Sequence, residues 1–181
     1  MFAAYTPYLL GILRGRVRPH PFSWLIWSLN STLIFALQWM HGGGIGSLTT
    51  ATVATASVAV FVLAVSGDRG RNRLRFSKAD FVFFSFAVIA ALLWLIAEEP
   101  LWSMTLLVLS DLLGLVPSIR KAWQAPREED LSQWSVNALR HLLAIGALQA
   151  YSFVTLLNPV VWFFADSLVA LLLLLRASRV R

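Results

Sequence analysis

The sequence contains no cysteine. Disulfides, thiolate nucleophiles and cysteine-based metal sites are thereby excluded. Charge is scarce too: 13% of the 181 residues are charged, against about 25% in a typical soluble domain. Lysine is nearly absent, with only Lys78 and Lys121 present, so the last apolar run offers no amine for a chromophore Schiff base. No two histidines have metal or haem spacing within an apolar run, and no serine stands beside a base as a nucleophile requires. The chain therefore reads as neither an enzyme nor a protein with a cofactor or a resident metal. What it has in quantity is apolar surface, with 58% hydrophobic residues and a mean hydropathy of +0.70. That is the composition of an all-α integral membrane protein.

Six apolar runs stand out, at 22–40, 45–66, 80–97, 101–119, 132–157 and 159–175. Each approaches or exceeds the ~20 residues that cross a hydrocarbon core. A seventh segment, Met1 to Leu13, reaches only about 20 Å as a helix. No basic region precedes its apolar part, unlike a signal peptide, and it is read as a short or clipped first span.

The formal net charge of +6 would suit nucleic acid, but its distribution points to a membrane instead. Arg14, Arg16 and Arg18 follow the first span; Arg69, Arg71, Arg73, Arg75 and Lys78 separate the third from the fourth. Arg120, Lys121 and Arg127 follow the fifth, and Arg176, Arg179 and Arg181 the seventh. The alternate connections, "HGGG", "AEEP" and "NP", contain neither Lys nor Arg. Basic residues are retained on the cytoplasmic side. Seven spans follow, with the amino end outside, the carboxyl end cytoplasmic, and a plasma (inner) membrane as the location. Trp24, Trp123 and Trp134 at one interface, and Trp39, Trp94, Trp102 and Trp162 at the other, fit an aromatic belt. The loop "GDRGRNRLRFSKAD" reads as an orientation signal drawn to anionic lipid. Ser77 and Asp80 within it have helix-capping spacing, and the carboxylates of "REED" suit the start of the sixth helix.

Shifted by 110 positions, the sequence aligns Pro7 with Pro117, Trp24 with Trp134, Leu29 with Leu139 and Leu33 with Leu143. Each copy runs apolar helix, proline, basic loop, Trp, then a helix with a polar midpoint: Asn30 in one, Arg140 in the other. Three helices, a linker and three more would set the two triplets parallel, the weak internal symmetry common in transporters. The expected organisation is a first triple-helix repeat over 1–66, a basic loop and linker helix over 67–99, and a second repeat over 100–181.

The segments "VPSIRKAWQAPREEDLSQWS" and "TPYLLGILRGRVRPHPFSWLIW", with this 3+1+3 order, resemble the SWEET and PQ-loop transporters. Tyr8 and Ser118 stand where that family's pattern has glutamine after the proline. The resemblance implies a small-solute transporter in which Pro7 and Pro117 act as hinges.

Arg140 is the one basic residue inside a span, and a guanidinium there costs about 2.5–3.5 kcal/mol on insertion scales. Asp111 and Asp166 lie at similar depth, so pairing of Arg140 with one or both is the economical compensation. Gln133, Asn137, Arg140, Ala144, Ala147 and Tyr151 form a polar and small stripe at helical spacing, matched by Ser23, Trp27, Asn30, Ile34, Leu37 and His41. Two readings of the cluster stand. It is either a structural lock within the second triplet, or a solute site of Trp27, Asn30, Asn137 and Arg140 with a proton or charge cluster of Asp111, Arg140 and Asp166. His141 reads as a packed neutral histidine. The corresponding functions are a transporter working by alternating access, proton-coupled or facilitative, and a membrane scaffold that moves nothing. The partners implied are a small-molecule solute and the lipid bilayer, without nucleic acid; a homo-oligomer is compatible with either.

Overall fold

The computed structural model describes residues 9–14, 21–67, 78–96, 98–124, 126 and 131–177. Among them there is no strand. Helix α1 covers 9–13, followed by α2 (Pro21–Met40), a single 3₁₀ turn (Gly44–Ser47), α3 (Leu48–Gly67), α4 (Lys78–Leu95), α5 (Pro100–Gln124), α6 (Leu131–Gly146) and α7 (Phe153–Ala177). Proline occupies the first position of α2 and of α5, where its missing N–H is no loss and its fixed φ suits the helix. Pro7, the serine and four of the arginines of the loop after α3, and the "REED" carboxylates lie outside the described residues.

Two stretches, Gly44–Ser66 and Phe153–Arg176, are long and apolar enough to cross a membrane, with mean hydropathies of 2.0 and 1.9. Only 33% of each apolar window is buried inside the molecule. The rest looks outward: Val62 and Val65 on α3, and Phe164, Leu168, Leu171 and Leu175 on α7, are all more than half exposed. Phe84–Leu95 and Pro100–Leu113 are shorter apolar helical stretches. Hydroxyls on the outer faces are satisfied internally. Thr52, Thr55, Ser85, Thr105 and Ser135 each donate to the carbonyl four residues back, at 2.7–2.9 Å. A hydroxyl bonded in this way exposes no unmet donor to apolar surroundings.

The last two apolar runs divide differently from their hydropathy. The sequence places a connection at "NP", whereas α6 ends at Gly146 and α7 already begins at Phe153, with Pro159 inside it. The reason is local. Ser152 Oγ accepts from Thr155 N–H at 3.3 Å and Thr155 Oγ1 accepts from Ser152 N–H at 2.9 Å, a reciprocal cap that starts the helix six residues before the proline. Pro159 has no N–H to bond the carbonyl of Thr155. That carbonyl instead accepts from Gln38 Nε2 on α2 at 3.1 Å. Gln38 is fully buried, and its Oε1 accepts from Thr50 of α3 at 2.7 Å. One amide thus joins α2, α3 and α7.

In the packing, α2 lies chiefly on α3, α6 on α7, and α4 on α5, while α5 also packs on α7. The main core forms where α2, α4, α5 and α7 meet, from Ile34, Leu37, Ala90, Met104, Leu107, Val108 and Val154. A smaller core near the end of α5 comprises Ala122, Val169 and Leu173. There Arg176 donates to the free carbonyl of Trp123 and lies 4.2 Å from its ring centroid, a cation–π contact that also closes a helix end.

At the opposite end, the α2–α3 connection meets the α6–α7 connection backbone to backbone. Gly46 N–H donates to Ala147 O at 3.0 Å, and Gln149 N–H to Gly43 O at 3.4 Å. A Cβ on Gly46 would stand 2.7 Å from Ala144 O and from Leu148 N. Only glycine permits so close an approach.

Candidate functional site

Between these ends lies a cavity of about 330 Å³. Its wall takes residues from five helices at helical spacing. Trp24, Trp27, Ser31 and Ile34 come from α2, and Thr49, Thr50, Val53 and Ser57 from α3. Asp111 and Leu115 come from α5, Trp134, Asn137, Arg140 and His141 from α6, and Asn158, Trp162 and Asp166 from α7. Trp24 and Trp134 are each the fourth residue of their helices. They mark how far the cavity extends toward the basic end of the bundle.

Asp111 is held from the side of α2. Asn30 Nδ2, on α2, donates to Asp111 Oδ1 at 2.9 Å and approaches Ser110 Oγ at 3.4 Å. That amide is neutral, so Asp111 accepts from an uncharged partner.

Arg140 is arranged otherwise. Its Nη2 donates to His141 Nε2 at 2.9 Å, and that same nitrogen lies 3.7 Å from Asp166 Oδ2. Among the described residues neither carboxylate comes within ion-pair distance of Arg140. Instead of the direct contact expected from the sequence, His141 stands between guanidinium and carboxylate, bonded to the first and 3.7 Å from the second. An imidazole nitrogen holds either one lone pair or one proton. While Nε2 accepts from Arg140 it has nothing to donate to Asp166, and Asp166 Oδ2 is left buried with no hydrogen-bond partner. Arg140 Nε and Asn30 Oδ1 are in the same condition. His141 also stacks on Trp162, with centroids 6.3 Å apart and planes 17° from parallel. The residue read as a packed histidine is therefore packed and also central to the polar cluster.

Of the solute-site residues named from the sequence, Trp27, Asn137 and Arg140 line the cavity, as do Asp111 and Asp166. Asn30 is 2% exposed and acts through Asp111. Pro117 lies within the helical span of α5, and Pro7 falls outside the described residues. Sequence reasoning missed Asn158, assigned to a connection, and placed Trp24, Trp134 and Trp162 at the membrane interface. The spacing of 158, 162 and 166 along one helix face could have revealed the first and last of these once the cap at Ser152 was recognised.

Comparison of the chain with protein-family models, curated proteins and solved structures gives no match.

Proposed function

We propose that the chain is a small-solute membrane transporter of seven spans in a 3+1+3 order, with its amino end outside and its carboxyl end in the cytoplasm of an inner membrane. One observation carries this reading: the cavity is lined at corresponding positions of the two halves. Trp24, Trp27 and Ser31 of α2 lie 110 positions before Trp134, Asn137 and His141 of α6. Thr49, Val53 and Ser57 of α3 lie 109 positions before Asn158, Trp162 and Asp166 of α7. Two triplets related in this way enclose their solute between them. The resemblance to SWEET and PQ-loop proteins points the same way, as do the apolar outer faces and the internally bonded hydroxyls.

In this reading the glycine-rich connections close the outer end, and the cavity reaches toward the cytoplasm as far as Trp24 and Trp134. Alternating access would part those connections while closing the tryptophan end, with Pro117 available as a hinge. Transport is either facilitative or coupled to protons through Asp166. The scaffold reading is favoured by a different observation, the Asn30–Asp111 bond, which ties α2 to α5. Counterflow in proteoliposomes decides between them, using labelled amines, amino acids and sugars with and without an imposed pH gradient. Accelerated counterflow of any of these solutes supports a transporter. Absence of flux and of any ligand-induced thermal shift across the panel leaves the scaffold.

A further inference from the structure

Resting on that reading, we infer that the cavity takes a protonated amine carrying an apolar or aromatic body. Among the described lining residues there are two carboxylates, Asp111 and Asp166, and one permanent cation, Arg140. His141 accepts a hydrogen bond from Arg140 and so contributes no positive charge in that arrangement. A buried surplus of one negative charge is unfavourable unless a cation or proton joins it.

Geometry then says where the cation goes. Asp166 is 1% exposed and lines the cavity, yet its Oδ2 has no hydrogen-bond partner: His141 Nε2 is 3.7 Å away and accepts from Arg140. Asp111, by contrast, already accepts from Asn30. An ammonium N–H on the solute would supply the donor that Asp166 lacks. A quaternary ammonium would bring the charge without the donor, and a sugar the donor without the charge. The zwitterion of an amino acid would leave the surplus charge in place.

The rest of the wall suits the body of such a solute. Trp24, Trp27, Trp134 and Trp162 all face the cavity, and indole is the ring that best attracts a cation. The volume of about 330 Å³ leaves room for a small arylalkylamine.

The test uses purified full-length protein and five probes of similar size: 2-phenylethylamine, its neutral analogue 2-phenylethanol, its trimethylated quaternary form, phenylalanine and glucose. Binding is read by tryptophan fluorescence and by thermal shift at fixed ionic strength. The expected result is that 2-phenylethylamine binds at least tenfold tighter than 2-phenylethanol and tighter than the other three. Asp166→Asn should abolish that preference, whereas Arg140→Gln should strengthen amine binding by removing the opposing charge. Equal binding of the neutral analogue, tighter binding of phenylalanine, the quaternary form or glucose, or no binding of the amine each overturns the inference, and each is read on the wild type without a variant. Amine binding with no counterflow of any solute would overturn transport and leave this site standing. Counterflow of a sugar or amino acid without amine binding would do the reverse.

Discussion

His141 Nε2 lies within reach of two groups and can satisfy one of them. Because it accepts from Arg140, Asp166 Oδ2 is left without a donor, whereas Asp111 accepts from the neutral Asn30. The two carboxylates therefore differ in kind, although at the level of sequence they look alike, both single acids within apolar runs. That difference depends on which helix faces which, and no spacing within one helix reports it. Asn30 is the residue on which it is easiest to measure. Asn30→Leu deletes a donor from a half-buried carboxylate, and a hydrogen bond to a charged group is worth about 1.5–3 kcal/mol. The variant should lose stability by about that amount in reversible unfolding in detergent or bicelles. Combined with Asp111→Leu, the loss should be smaller than the two single losses added together, since the second change removes the stranded acceptor. Strict additivity would mean that the Asn30–Asp111 bond contributes nothing.

Helices α2, α3 and α4 were legible from hydropathy to within a few residues because each is one uninterrupted apolar run, whereas α5 continues past its apolar run to Gln124. The boundary between α6 and α7 was not. Pro159 looks like a break only until the neighbouring helices are present, when Gln38 takes up the carbonyl that the proline leaves free. Local propensity and tertiary satisfaction conflict there, and the tertiary partner prevails. The glycines at the other connection show the opposite case: "HGGG" is plainly a turn, but the sequence does not say that Gly46 lies against the backbone of a segment a hundred residues away. Gly46→Ala inserts a methyl group 2.7 Å from two backbone atoms. Overpacking of this kind costs about 1–3 kcal/mol. The variant should unfold earlier by that margin, and a cysteine at Gln149 should be alkylated faster in it than in the parent. Unchanged stability and unchanged alkylation would show that the two connections do not hold each other.

At the scale of the whole molecule, the asymmetry of basic residues makes the orientation testable in a chain that has no cysteine of its own. Single cysteines at Ile45, Glu99 and Gln149, all exposed, should react with an impermeant maleimide applied to intact cells. Cysteines at Lys78 and Gln124, also exposed, should react only after the membrane is opened. Labelling of Lys78→Cys from outside would overturn the seven-span arrangement. Asn158, which stood on the outer side when "NP" was read as a connection, is buried in α7 and should stay unlabelled. The meeting of the two connections has a further consequence in time. The N–H groups of Gly46 and Gln149 are bonded only across the gap between segments, so their hydrogens can be replaced by deuterium only in the moments when those segments separate. Their exchange rates are then a clock that counts separations. If separation is the outward step of a transport cycle, a solute that stabilises the parted state should make the clock run faster, and one that stabilises the closed state should slow it. Amides in the middle of α3 and α7, bonded within their own helices, should keep their pace in both cases.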